Sequence, residues 1–73
     1  MIVNNLAVMM VKRRKKITQV SRDTGLSRTT LTRLHYGKTR SLSLDTVERL
    51  CAYLGCGVGE LLEYRDERQV EYA

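Results

Sequence analysis

The sequence predicts an all-α domain of five short helices, and three observations carry that prediction. Apolar residues recur at spacings of three and four, the period of a helix buried on one side. The 73 residues include no proline. Ser27, Gly37, Ser43 and Gly55 stand where caps and stops should bound the apolar stripes. With 42% hydrophobic residues but no Trp or Phe, the core must be assembled from Leu, Val, Ile and Met. Only one domain fits, because a chain this short buries roughly 60% of the surface it exposes when unfolded. Little material is left for a deep catalytic cleft.

Asn5 is placed to cap a first helix running to about Arg14, with Leu6, Met9 and Met10 as core contacts. Ala7, Val8 and Val11 add apolar surface beyond one stripe, so this helix is either buried on two sides or takes part in self-association. The run KRRKK, residues 12–16, follows. Its cations complement the carbonyl end of the helix dipole, and the run reads equally as a solvated face. A second helix spans about 18–24 with Val20 inward, and Gly25 supplies the positive φ of a tight interhelical turn. Leu26 then enters the core. Ser27 caps a third helix, about 28–36, which Gly37 closes.

After a basic loop, GKTRSLS, Ser43 caps a fourth helix whose Leu44, Val47, Leu50, Cys51 and Leu54 form its stripe. Gly55 stops it. Gly57 leaves room for a last short helix through Val58, Leu61 and Leu62 to Tyr64. Tyr53 and Tyr64 are expected to pack within these C-terminal helices. Residues 1–64 form the expected domain, and residues 65–73 a charged, flexible tail in which Val70 and Tyr72 could pair with another chain.

Charge is divided along the chain. Residues 1–40 carry ten Lys or Arg against one acid, Asp23, and residues 41–73 carry three against seven. A basic half joined to an acidic half points to one face built for a polyanion. The third helix sharpens this. At about 100° per residue, Leu31 and Leu34 share one side, while Arg28, Thr29, Thr32, Arg33 and Tyr36 share the other. A guanidinium fork matches guanine O6 and N7, and threonines can bond base edges or touch thymine methyls. Three threonines in one short helix, at up to ~0.7 kcal/mol each against Ala, need such a reason, although Thr30 sits at the stripe's edge and could serve the cap. The helix, ~13 Å long, suits a major groove ~12 Å wide.

With the turn glycine, the Leu31 and Leu34 spacing and the stretch SRTTLTRLHYGKTRSLSLDTVERLCAYLGCGVGELLEY, the chain resembles the Cro and C1 repressor type of helix-turn-helix proteins, the XRE family of bacteria and their phages. The resemblance covers about residues 5–64 and is to the small single-domain branch. It implies a five-helix repressor-like domain acting as a sequence-specific, double-stranded DNA-binding transcriptional regulator. It also implies that Arg28, Thr29, Thr32 and Arg33 face base edges, while the loop holding Lys38, Thr39 and Arg40 follows the backbone. Ser27, Thr30 and Tyr36 are further phosphate candidates, Tyr36 being as readily a packing residue. Many members place a glutamine at the start of the first motif helix to hold a phosphate; here Ile17 stands there. That contact falls to Lys16, Thr18 or Gln19, or is absent.

His35, the sole histidine, reads as a partly buried packing residue, and a zinc site needs about four ligands. Cys51 and Cys56 read as core thiols. No Ser, Thr or Cys has an evident base partner, and CGVGELLEY lacks the lysine and spacing of a P-loop. No enzymatic activity is therefore expected, and no catalytic, cofactor-binding or metal-ligating residue. Residues 2–11 are too short an apolar stretch to cross a bilayer. No membrane association is expected, and the thiols favour a reducing cytoplasm. A homodimer is expected to read half-sites about 34 Å apart. The rival expectation is an antitoxin-like or adaptor module that grips a protein through its first helix or its acidic C-terminal half.

Overall fold

The computed structural model describes residues 1–66. Their order is β1 (Ile2–Asn4), α1 (Leu6–Arg13), α2 (Ile17–Thr24), α3 (Arg28–His35), α4 (Leu44–Leu54), α5 (Val58–Leu61) and β2 (Leu62–Tyr64). The five expected helices are present. Most of the expected tail, with Val70 and Tyr72, lies outside the described residues.

Local chemistry sets most helix ends. Ser27 Oγ accepts from Thr30 N–H at 3.1 Å, and Ser43 Oγ accepts from Thr46 N–H at 3.1 Å, so both serines cap as expected. Gly55, at φ +66°, ends α4 in the left-handed region. Cys56 N–H then reaches Cys51 C=O at 3.1 Å, as in a Schellman turn. Arg14 closes α1 in the same backbone region at φ +55°. At the start of α1 the expected cap is exchanged between neighbours. Asn4 Oδ1 accepts from Leu6 N–H at 3.2 Å, whereas Asn5 Nδ2 donates to Glu60 C=O at 3.1 Å.

Leu6, Met9, Met10, Val20, Leu31, Leu34, Val47, Leu50, Leu54 and Leu61 form one buried cluster, with at least one residue from each helix. Leu26 and Cys51 pack against it only in part. Leu44 corrects the expected α4 stripe. It is 84% exposed at the first helical position of α4, whereas Val47, one turn on, is buried. Val8 is exposed and Val11 is 77% exposed, so α1 is not buried on two sides.

The ends of the chain hold the largest departure from the sequence reading. The last helix stops at Leu61 rather than Tyr64, and Leu62–Tyr64 runs antiparallel to Ile2–Asn4, with Ile2 opposite Tyr64. Asn5 N–H to Leu61 C=O at 2.7 Å and Arg65 N–H to Met1 C=O at 2.9 Å extend this seam. Tyr64, expected to pack, is 71% exposed, although it shares a strand face with Leu62, which packs against the core.

Candidate nucleic-acid interface

α2 and α3 pack on each other across a turn built by several independent bonds. Gly25 has φ +78°, a conformation that L side chains avoid. Ser21 Oγ donates to Leu26 C=O at 2.6 Å, and Thr24 Oγ1 accepts from Leu26 N–H at 3.2 Å. The turn therefore leaves α3 with a defined direction.

On α3, Leu31 and Leu34 are buried, which commits the opposite side to solvent. Arg28, Thr29, Thr32, Arg33 and Tyr36 are exposed there. Among the described residues, neither Arg28 nor Arg33 is held in an ion pair. Tyr36 caps the helix, and its ring meets the edge of His35 at 4.8 Å. His35 is half-buried, and its Nδ1 is enclosed without a hydrogen-bond partner. Lys38 and Arg40 are exposed in the following loop, with Lys38 N–H bonded to Arg33 C=O at 2.8 Å, while Thr39 is half-buried.

The remaining phosphate candidates divide by what already occupies them. Lys16 and Thr18 are exposed at the start of α2. Gln19 Oε1 accepts from Lys16 N–H at 2.9 Å, so its oxygen serves as a cap. Ser27 Oγ donates to Thr30 Oγ1 at 2.8 Å in addition to capping. These two hydroxyls are first of all a helix start.

The basic run is less uniform than a solvated face. Arg13 Nε donates to Leu54 C=O at 2.7 Å, satisfying a carbonyl at the end of α4. Lys15 Nζ lies 5.5 Å from the centre of the Tyr53 ring. The Tyr53 hydroxyl, in turn, donates to Asp23 Oδ2 at 2.5 Å. Burial, with Cys51 beside it, pushes the Cys56 thiol up and keeps it a poor nucleophile.

The Tyr53 bond holds the Asp23 carboxyl below its ordinary value of 3.8, with help from Arg22, and raises the Tyr53 phenol above its ordinary 10.0. The Asp23 contribution to stability is present above 3.8 and is lost as pH falls through the lowered folded value. The Tyr53 contribution is present below 10.0 and is lost as pH rises through the raised one. Urea unfolding across pH should therefore separate wild type from Tyr53→Phe by a constant margin between about pH 5 and 9, shrinking below about pH 4. A margin that is flat into strong acid would mean that the bond contributes nothing.

Comparison with known proteins bears directly on this surface. The profile of the Cro/C1-type HTH DNA-binding domain matches residues 5–67. The chain belongs to that family. A curated relative of this Cro/C1-type domain, the uncharacterized HTH-type transcriptional regulator YozG of Bacillus subtilis (strain 168), is 34% identical over 71 residues, covering 97% of this chain and 84% of that protein. The Cro/C1-type fold also matches a crystal structure from Bacteroides fragilis, provisionally described as a DNA-binding protein. The TM-score is 0.77 at 21% identity, over 86% of this chain and all of that one. At that identity the likeness is one of fold.

Sequence reasoning missed the contacts that α4 makes with the motif. Asp45, Arg49 and Tyr53 follow one another at intervals of four on α4, and Arg49 Nη1 donates to Thr24 C=O at 3.1 Å. That i, i+4, i+8 spacing, away from Val47, Leu50 and Leu54, was the available signal. Among the described residues no helix is long and apolar enough to cross a membrane.

Proposed function

We propose that this chain regulates transcription as a homodimer, each copy setting α3 into the major groove of double-stranded DNA. Arg28, Thr29, Thr32 and Arg33 contact base edges in this reading. Lys16, Thr18, Tyr36, Lys38, Thr39 and Arg40 position the backbone, with Gln19, Ser27 and Thr30 adding contacts beyond their capping bonds. The observation that carries the reading is the two-sidedness of α3. Leu31 and Leu34 are sealed inside, while the guanidiniums of Arg28 and Arg33 stand outward with no carboxylate paired to them among the described residues. Arginines so placed are free to make bidentate contacts with guanine.

The transcriptional role is supported by the description of the Bacillus relative, and we read the chain as non-catalytic and cytoplasmic. The exposed Val8 and Val11, three apart on α1, are apolar surface that a second copy could cover.

Selection of bound duplexes from a random pool tests these points together. A two-fold sequence with half-sites about 34 Å apart is expected. No enrichment would overturn sequence-specific reading, and enrichment of one isolated half-site would overturn the dimer. Lys38→Ala should weaken selected and random DNA alike and flatten the salt dependence by about one unit. Binding measured across a salt series would read both effects.

A further inference from the structure

We propose that Arg49 and Tyr53 of α4, which lie outside the helix-turn-helix, are positioning residues that clasp the end of α2 and thereby set the angle at which α3 meets DNA. The inference rests on the DNA-reading role of α3 and deepens it.

The bonds inside the turn are local. Ser21 and Thr24 each bond Leu26, and Thr24 also donates to the Val20 carbonyl, all within five positions, so they fix the turn's own shape. They cannot fix how the α2-turn-α3 unit is seated on the rest of the domain. α3 packs chiefly on α1 and α2, and α2 packs on α4. A small rotation of α2 against α4 would therefore carry α3 with it.

Two non-local tethers resist that rotation. Arg49 Nη1 reaches the Thr24 carbonyl at 3.1 Å across 25 residues, and the Tyr53 hydroxyl reaches Asp23 Oδ2 at 2.5 Å across 30. Both partners lie in the last turn of α2, just before Gly25. Each tether is itself aimed. Arg49 Nε is held by Asp45 Oδ2 at 3.0 Å, and Asp23 Oδ1 by Arg22 Nε at 3.3 Å. Lys15 sits over the Tyr53 ring. The Thr24 carbonyl belongs to the set that a helix end leaves without a partner, and the guanidinium also meets the negative end of the α2 dipole.

Stability alone is a weak reason for this arrangement, because both tethers lie exposed to water, where contacts of charged groups contribute little. Geometry is a stronger one. A recognition surface loses function when it is displaced by fractions of an ångström or ten to twenty degrees.

The test compares wild type with Arg49→Met/Tyr53→Phe, which keeps both apolar stems, on the pool-selected duplex and on random DNA. The variant should lose roughly tenfold or more on the selected duplex, the scale of one lost base contact. Its random-DNA affinity and salt slope should be unchanged, and its urea midpoint lower by under about 0.5 M. Amide shifts of residues 28–33 in the free protein should move, since α3 is reseated. Arg49→Lys should recover part of the discrimination, because an ammonium can still reach the Thr24 carbonyl.

Wild-type affinity for the selected duplex in the double variant would overturn the proposal. So would equal losses on both DNAs with a flatter salt slope, which would make Arg49 a direct phosphate contact. If the double variant does not fold, Tyr53→Phe alone decides the matter, and discrimination equal to wild type would overturn it. Failure of the wild type to discriminate would remove the DNA-reading role first and this inference with it.

Discussion

Leu31→Ala should leave much of the chain unfolded at 25 °C. Leu31 is fully buried on the inner side of α3, and truncating such a leucine costs about 2–5 kcal/mol. A core in a chain this short rarely supplies more than about 3–5 kcal/mol of net stability. The substitution therefore removes most of what holds the domain together. Leu44→Ala is the control, since the same atoms are removed from a side chain that is 84% exposed, and it should change stability by under about 0.5 kcal/mol. Urea unfolding followed by far-ultraviolet circular dichroism reads both. A loss below about 1 kcal/mol for Leu31→Ala would contradict the packing described for α3.

Arg33→Ala should do the reverse, leaving the fold intact and removing about 1–3 kcal/mol of discrimination at one base pair. The side chain is exposed and makes no ion pair among the described residues. Its removal thus has little to disturb within the protein. Repeating the pool selection with the variant should relax the preference at a single position in each half-site. Equal losses on random and selected DNA would instead make Arg33 a backbone contact, like Lys38 in the proposed arrangement.

What could be read from the sequence was set by forces that act over a few residues. Ser27 and Ser43 cap the helices they precede, and Gly55 ends α4, because a hydroxyl or a positive φ acts on its immediate neighbours. Leu31 and Leu34 fell inward because their spacing alone puts them on one side. Leu44 obeyed the same spacing and still faced water, since periodicity gives a side and not whether another element covers it.

Ile2–Asn4 could not be recognised as a strand, being three residues whose partner lies at the other end of the domain. The α2–α4 clasp was hidden for a related reason. Tyr53 was expected to pack and Asp23 counted only as the one acid of the basic half, until the fold placed one hydroxyl against one carboxylate. The outward stripe of α3 was legible as a surface from the beginning. The assignment of each side chain on it to a base or a phosphate depends on the DNA, which no property of the chain alone supplies.

The seam between the two short strands bears on how the domain assembles. The Met1 ammonium donates to Arg65 C=O at 2.7 Å, across 64 positions of chain. Joining segments that far apart costs loop entropy before any contact repays it, whereas each helix and the Gly25 turn form from near neighbours. During synthesis the amino-terminal strand has no partner until residues 62–64 are made, near the end of the described chain. Closing this seam, the pairing of the described residues that spans the most chain, is therefore expected to come late in folding.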